Sequence, residues 1–166
     1  MNLFKRDIEH DAVFVFFKKW QKNVDIKDIK EKLYTINRCY TLQFDRLGYD
    51  INALIKRIQS CGFDNRVKNG DLTLVADLQK PLMCKKGKEK QLYSFATKYC
   101  AIHSWTYGKD DYMIYDSINV AHLKGKNLNI YENYYKLCKE NMLKLGIQSF
   151  ADFDEYLQNL PRGNKN

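Results

Sequence analysis

Apolar residues recur at three- and four-residue intervals along most of the chain, which is the spacing of a buried helix face. The pattern predicts eight helical segments, and no stretch alternates apolar and polar residues long enough to predict a sheet. We therefore expect an all-α fold, a single orthogonal bundle of about seven to eight helices over residues 1–160, followed by a disordered tail at 161–166. The predicted helical segments are 13–20, 26–40, 51–58, 72–78, 92–103, 117–125, 131–145 and 149–160.

Residues at the ends of these segments support the predicted boundaries. An aspartate precedes the first apolar residue of four segments, and an aspartate side chain can accept hydrogen bonds from the first free amides of a helix. Between the fourth and fifth segments, residues 80–90 contain five lysines and are expected to form a loop. The four aspartates are Asp11, Asp25, Asp50 and Asp71.

The composition indicates a folded protein. Hydrophobic residues make up 45% of the 166-residue chain and 23 residues are aromatic, which is enough to fill a core. The five cysteines are an odd number and form no CxxC pair, so free thiols in a reducing compartment are expected. Charges in the first eleven residues, and apolar runs far shorter than a bilayer requires, favour a cytoplasmic location without membrane contact.

The net charge of +8 changes the expectation about partners. Phosphate is the commonest partner of a basic surface, which makes DNA the expected partner. However, lysine accounts for 22 of the 28 basic residues, and an AT-rich genome would produce that bias without any nucleic-acid binding. Charge alone therefore leaves both interpretations open.

The stretch from residue 93 to residue 123 contains the candidate catalytic residues. Lys98 lies in one predicted helix, and Asp116 precedes the next helix 18 residues later. An amine and a carboxylate at neighbouring helix starts can perform nucleophilic catalysis at a sugar or carbonyl carbon. Each residue also has a structural alternative. Lys98 lies at the edge of an apolar stripe and can extend its amine to solvent, and Asp116 can cap the amides of Ile118 and Asn119.

The segments Ala96-Thr97-Lys98 and Ile114-Tyr115-Asp116 resemble the catalytic half of the helix-hairpin-helix DNA glycosylases, especially the 8-oxoguanine glycosylase branch. In that superfamily a Gly-Thr-Lys opens one helix, and an apolar-apolar-Asp opens the next. The segments SFATKYC and IYDS are also similar to those of a widespread, largely uncharacterised bacterial family with an S-F-A-[ST]-K-Y-C core. The second resemblance covers most of the chain.

The glycosylase resemblance implies a helix-hairpin-helix core with Lys98 as the nucleophile and Asp116 assisting it. A flipped nucleotide would then enter a pocket beside the pair, and the lysine-rich segment before the catalytic helix would bind DNA phosphates. Aromatic residues in a helical protein otherwise line its core. The predicted pocket residues are Tyr93, Thr97, Tyr99, His103, Trp105, Tyr115 and Ser117. The predicted DNA-binding residues are Lys85, Lys86, Gly87, Lys88 and Lys90.

Other chemistries find little support in the sequence. Cys100 and His103 are one helical turn apart, which is a spacing that suits a metal, but no second pair accompanies them. No metal site and no cofactor are therefore predicted. Two alternatives to a glycosylase remain open: a non-catalytic nucleic-acid or protein binding module, associated with phage defence or a mobile element, and a structural protein.

Overall fold

The computed structural model describes residues 12–23, 25–40, 42–85 and 87–161, with the backbone alone for Asp45. Within these ranges the chain forms ten α-helices and a two-stranded hairpin, which confirms the all-α prediction. The helices are α1 (Ala12–Lys19), α2 (Ile26–Tyr40), α3 (Phe44–Leu47), α4 (Ile51–Ser60), α5 (Phe63–Lys68), α6 (Thr73–Leu78), α7 (Tyr93–Thr106), α8 (Ser117–His122), α9 (Tyr131–Leu145) and α10 (Phe150–Asn159). The strands are β1 (Leu82–Met83) and β2 (Glu89–Lys90).

All eight helices predicted from periodicity form, and two short helices join them. Helices α3 and α5 span only four and six residues, which is too short for a period of 3.6 residues to be detected. The loop predicted at 80–90 is wrong in part, because β1 and β2 pair there in antiparallel fashion. Two residues per strand show no alternation that a sequence pattern would reveal.

The predicted caps at Asp25 and Asp50 are confirmed, whereas Leu72 is the cap residue of α6 and Asp71 lies one position before it. Asp25 accepts the N–H of Asp28 at 2.8 Å, Asp50 that of Ala53 at 3.0 Å, and Asp71 that of Thr73 at 2.9 Å. Asp11 and residues 162–166 of the predicted tail lie outside the described residues. In the described part of the chain, no helix combines the length and the apolar composition that membrane crossing requires.

Helix α7 lies at the centre of the fold. Thirteen of its 14 residues are buried, because α1, α5 and α6 pack around it. Small and aromatic residues occupy every side of α7, as is typical of a fully enclosed helix. This differs from the amphipathic helix expected from the sequence, in which Lys98 lay at the edge of an apolar stripe.

An extended segment, residues 109–116, joins α7 to α8 without pairing to another strand. Side chains of α9 satisfy its backbone instead. The Met113 N–H donates to the Tyr131 hydroxyl at 2.9 Å, and the Tyr134 hydroxyl donates to the Ile114 carbonyl at 2.6 Å. A buried backbone group without a partner costs about 1–3 kcal/mol. The two tyrosines therefore fix the path of this segment.

His103 is a buried histidine of α7 whose ring nitrogens have no hydrogen-bond partner among the described residues. Its ring packs between those of Phe17 and Phe63, with centroids 4.9 Å away in both cases. Burial, together with the positive charge of Lys32, lowers the pKa of His103 well below the ordinary value of 6.5. The ring is therefore neutral in the folded protein at neutral pH.

We predict that His103 makes the free energy of unfolding decrease in acid. Below pH 6.5 the unfolded chain takes up a proton on His103 that the folded chain does not bind, so lower pH favours unfolding. His103→Phe removes this proton uptake. As the pH falls by one unit from 6.5, the free energy of unfolding of the variant should rise by about 1 kcal/mol relative to that of wild type. Urea denaturation at each pH measures both free energies.

His122→Gln is the control for this experiment, because His122 is the other histidine within the described ranges and is half-buried on α8. That variant should keep the wild-type pH dependence. If His103→Phe responds to acid as strongly as wild type, His103 is not the group responsible.

Candidate active site

Lys98 and Asp116 lie beside each other in a cleft of about 390 Å³. The Nζ atom of Lys98 is 3.7 Å from Oδ2 of Asp116. Because α7 carries the lysine and the extended segment delivers the aspartate to the start of α8, residues 18 positions apart meet at one place. The residues lining the cleft are Tyr40, Lys98, Ile114, Asp116, Asp154, Glu155, Gln158 and Asn159.

The amine of Lys98 is enclosed, and only 6% of the side chain is exposed. It donates a hydrogen bond to Oγ of Ser94 at 2.9 Å and lies 5.7 Å from the centroid of the Tyr40 ring. Burial lowers the pKa of Lys98 below 10.5, and the carboxylates of Asp116 and Asp154 oppose that shift. The neutral amine, which is the nucleophilic form, is therefore more populated than at an exposed lysine.

Asp116 uses its two carboxylate oxygens for different purposes. Oδ1 accepts the N–H groups of Ile118 and Asn119 at 3.0 and 2.9 Å, which confirms the predicted cap of α8. Oδ2 faces Lys98 and accepts a hydrogen bond from Gln158 at 3.1 Å. The capping role therefore leaves one oxygen available beside the amine.

Helix α10 closes the cleft with a network of amides and carboxylates. Gln158 Nε2, besides bonding to Asp116, donates to Oδ1 of Asn119 at 2.9 Å. The fully buried Asn119 in turn donates to Oδ1 of Asp154 at 2.6 Å. Glu155 adds a buried oxygen, Oε2, that has no hydrogen-bond partner among the described residues. Three carboxylates thus line the cleft that holds the Lys98 amine.

A partly buried hydrogen bond sets the register between the two candidate residues. The Tyr115 N–H donates to the Thr97 hydroxyl at 3.0 Å, so the residue before Asp116 is bonded to the residue before Lys98. The hydroxyl lies within hydrogen-bond distance of carbonyl oxygens one turn back in α7, at 3.2 and 3.3 Å. Thr97 is fully buried, and water therefore cannot replace this bond.

The walls of the cleft do not include the seven residues predicted to form the pocket. Five of the seven are buried residues of α7 and belong to the central packing of the fold. Tyr115 stacks on Tyr93 with ring centroids 4.0 Å apart, and Ser117 is exposed. The five on α7 are Tyr93, Thr97, Tyr99, His103 and Trp105.

The described residues among those predicted to bind DNA lie on the β hairpin and its turn. Lys86 is outside the described residues. The stem of Lys85 packs on Gly48, where an added Cβ would lie 2.2 Å from the lysine Cγ. The Lys85 N–H donates to the Leu47 carbonyl at 3.3 Å, which joins the hairpin to the end of α3. The residues that are exposed are Lys85, Gly87, Lys88 and Lys90.

Sequence reasoning missed the cleft residues that come from α2 and α10. Tyr40 ends α2, and its aromatic side chain gave no sign of facing a lysine 58 positions away. Asp154, Glu155 and Gln158 are polar residues of an amphipathic helix, a pattern that usually indicates a solvent-facing side. Only the packing of α10 on α8 brings them to the cleft.

Lys32 of α2 is a second buried lysine that sequence reasoning missed. Its amine donates to the Lys22 carbonyl and to Oδ1 of Asn23, both at 3.2 Å. Burial lowers the pKa of Lys32 to about 8. A signal was present in the sequence, because Lys32 lies at helical spacing between Ile29 and Ile36 on the apolar face of α2.

The Lys98 cleft has the groups required for covalent amine catalysis. A partly deprotonated amine can attack an electrophilic carbon, and a neighbouring carboxylate can stabilise the positive charge that develops.

The described residues contain no group of three or more His, Cys, Asp and Glu side chains arranged to hold a metal ion.

The fold and the cleft define a small all-α protein in which a buried amine lies beside a half-buried carboxylate. The chain belongs to the HI_0787_N family, because the family model, described as an N-terminal domain, matches residues 5–112. This range contains Tyr40 and Lys98, whereas Asp116 and helix α10 follow it.

A segment of 41 residues is 51% identical to an uncharacterised protein of Haemophilus influenzae. The segment is 25% of this chain and 19% of that protein, so the match spans less than a fifth of the relative's length. No solved structure matches the chain. These similarities confirm the predicted resemblance to an uncharacterised bacterial family.

We predict that the Thr97 hydroxyl is required to keep Asp116 beside Lys98. Thr97→Val preserves the shape of the side chain but leaves the partly buried Tyr115 N–H without its acceptor, which should destabilise the protein by about 1–3 kcal/mol. Thr97→Ser keeps the hydroxyl, so its free energy of unfolding should decrease by a smaller amount. That decrease reflects only the missing methyl group. Urea denaturation compares the two, and equal losses would contradict the proposed role of the hydrogen bond.

Proposed function

We propose that the protein binds DNA and excises a base as a glycosylase with lyase activity, using Lys98 as nucleophile and Asp116 as the assisting carboxylate. The observation that carries this proposal is the 3.7 Å separation of Lys98 Nζ and Asp116 Oδ2 within one cleft. The resemblance of the Lys98 and Asp116 segments to helix-hairpin-helix glycosylases supports it, and so does the net charge of +8.

In the proposed reaction the neutral amine of Lys98 attacks C1′ of a flipped nucleotide. The C1′–N bond breaks, and the base leaves with the bonding electrons and takes up a proton. Asp116 Oδ2 stabilises the positive charge that develops on the sugar and accepts a proton from the amine. The C1′–O4′ bond then breaks, O4′ takes up the proton that Asp116 accepted, and an imine forms between Nζ and C1′. Loss of a C2′ proton then expels the 3′ phosphate, and water finally hydrolyses the imine.

Three features of the cleft support the proposed reaction. The amine is partly shielded from water, which lowers its pKa. The carboxylate is held by two backbone amides and by Gln158, so little reorganisation is needed when charge develops. The exposed lysines of the hairpin, Lys85, Lys88 and Lys90, would contribute contacts to DNA phosphates.

We predict that borohydride links the protein covalently to duplex DNA carrying an abasic site or 8-oxoguanine. Borohydride reduces the imine to a stable secondary amine, and mass spectrometry of the adduct should locate the modification on Lys98. Lys98→Gln should abolish the adduct. Because the pKa of Lys98 is lowered, adduct formation should reach its alkaline plateau below the pH expected of an ordinary lysine.

Lys32→Gln is the matched control, because it makes the same change at the other described lysine that is buried and has a lowered pKa. That variant should still form the adduct once circular dichroism shows that it is folded. If no adduct forms with any member of a lesion panel, the lyase mechanism is wrong. Salt-dependent binding to plain duplex without trapping would favour the non-catalytic binding module.

We further predict that Asp116→Asn slows adduct formation by about 100-fold, which is the typical effect of an assisting acid or base. Asparagine caps helices as well as aspartate does, so the free energy of unfolding should change by about 1 kcal/mol or less. Asp25→Asn provides a control at a second helix cap, remote from the cleft lining. If Asp116→Asn forms the adduct at the wild-type rate, Asp116 acts only as a helix cap.

A further inference from the structure

The chain between α8 and α9 forms a surface groove of about 330 Å³ together with one side of α9. We refer to residues 124–128 as the basic loop. Gly125, Lys126 and Leu128 of this loop line the groove, and Lys136 and Asn133 of α9 lie opposite. Glu140 is the one acidic residue among the described residues of the lining. The groove therefore carries excess positive charge.

Gly125 allows the basic loop to lie directly against α9. An added Cβ at Gly125 would lie 2.7 Å from Cδ2 of Leu137 and 2.8 Å from Cδ2 of Leu128. Contacts this short are essentially never made by real Cβ atoms. Any other residue would require these leucine side chains or the loop to shift. The glycine thus serves close backbone approach rather than an unusual backbone angle.

The backbone of the basic loop presents donors as well as charge. Within the described part of the chain, the N–H groups of Lys124, Gly125 and Lys126 donate to no protein acceptor. Lys124, Lys126 and Lys136 are exposed. Successive free amides flanked by ammonium groups match the chemistry by which proteins hold phosphate.

The basic loop is bonded to the framework of the Lys98 cleft. The Tyr93 hydroxyl donates to the Leu128 carbonyl at 3.2 Å. Tyr93 is the first residue of α7 and stacks on Tyr115, which precedes Asp116. Lys98 lies five residues further along α7, about 7.5 Å along the axis at 1.5 Å per residue.

We propose that the basic loop and Lys136 bind backbone phosphates of the DNA strand whose target nucleotide occupies the Lys98 cleft. This inference rests on the proposed function and adds a second phosphate site to the one proposed at the β hairpin. The short connection through Tyr93 holds the phosphate site and the cleft in a fixed relation, so that binding of the strand aligns the nucleotide with the amine.

The test is the affinity of the full chain for a duplex containing a tetrahydrofuran abasic-site analogue, measured by fluorescence anisotropy between about 50 and about 200 mM KCl. The double variant Lys124→Glu with Lys126→Glu should bind at least 10-fold more weakly at about 100 mM KCl. Its plot of log affinity against log salt should be shallower by about 2, because two fewer counterions are released.

The control is Lys27→Glu with Lys30→Glu, which makes the same change in net charge on exposed residues of α2. These positions lie about 15–20 Å along the helix from Tyr40. The control should keep the wild-type salt dependence. Equal affinities and equal slopes for the two double variants would overturn the assignment of the phosphate site.

Borohydride trapping separates this inference from the proposed function. If Lys98→Gln and wild type bind the duplex equally and neither forms an adduct, the lyase mechanism fails while the loop variants still test the phosphate site. If wild type forms the adduct and the loop variants bind and trap normally, the phosphate site is wrong and the lyase mechanism stands. If wild type binds no duplex at about 50 mM KCl, both are overturned.

Discussion

The hydrogen bond between the Tyr115 N–H and the Thr97 hydroxyl connects the two halves of the candidate site. Helix α7 holds the extended segment at further points, through Ser104 bonded to Asp111 and Trp105 bonded to Asp110. The segment therefore runs back along the helix in a fixed register, although it has no strand partner. A shift by one residue would leave several buried groups unpaired at once, at about 1–3 kcal/mol each. The position of Asp116 beside Lys98 is a consequence of that register.

The electrostatics of the cleft reflect a balance between burial and attraction. Burial removes water from the Lys98 ammonium and favours the neutral amine, while two carboxylates favour the charged form. The lowered pKa shows that burial has the larger effect. At Lys32 burial also dominates, but that amine is held by two carbonyl oxygens and does not line the Lys98 cleft. Access to a cleft, rather than the pKa, distinguishes the candidate nucleophile.

Local signals in the sequence were sufficient to locate eight of the ten described helices and two of the cleft residues. The Asp50 and Asp116 caps depend on side chains that bond two or three residues ahead, so the sequence predicts them directly. Burial of α7 on every side was not predictable in the same way, because its surroundings come from α1, α5 and α6. The role of Gln158 could not be predicted from the sequence either, because it depends on how α10 packs against α8.

The position of α10 in the chain has a consequence for biosynthesis. During synthesis domains tend to form from the N-terminal side first, and α7 can pack with α1, α5 and α6 as soon as all four have been made. Gln158 and Asp154 emerge from the ribosome more than 35 residues after Asp116. In the nascent chain Lys98 and Asp116 are therefore unshielded, and the cleft is completed only when the last described helix packs into place.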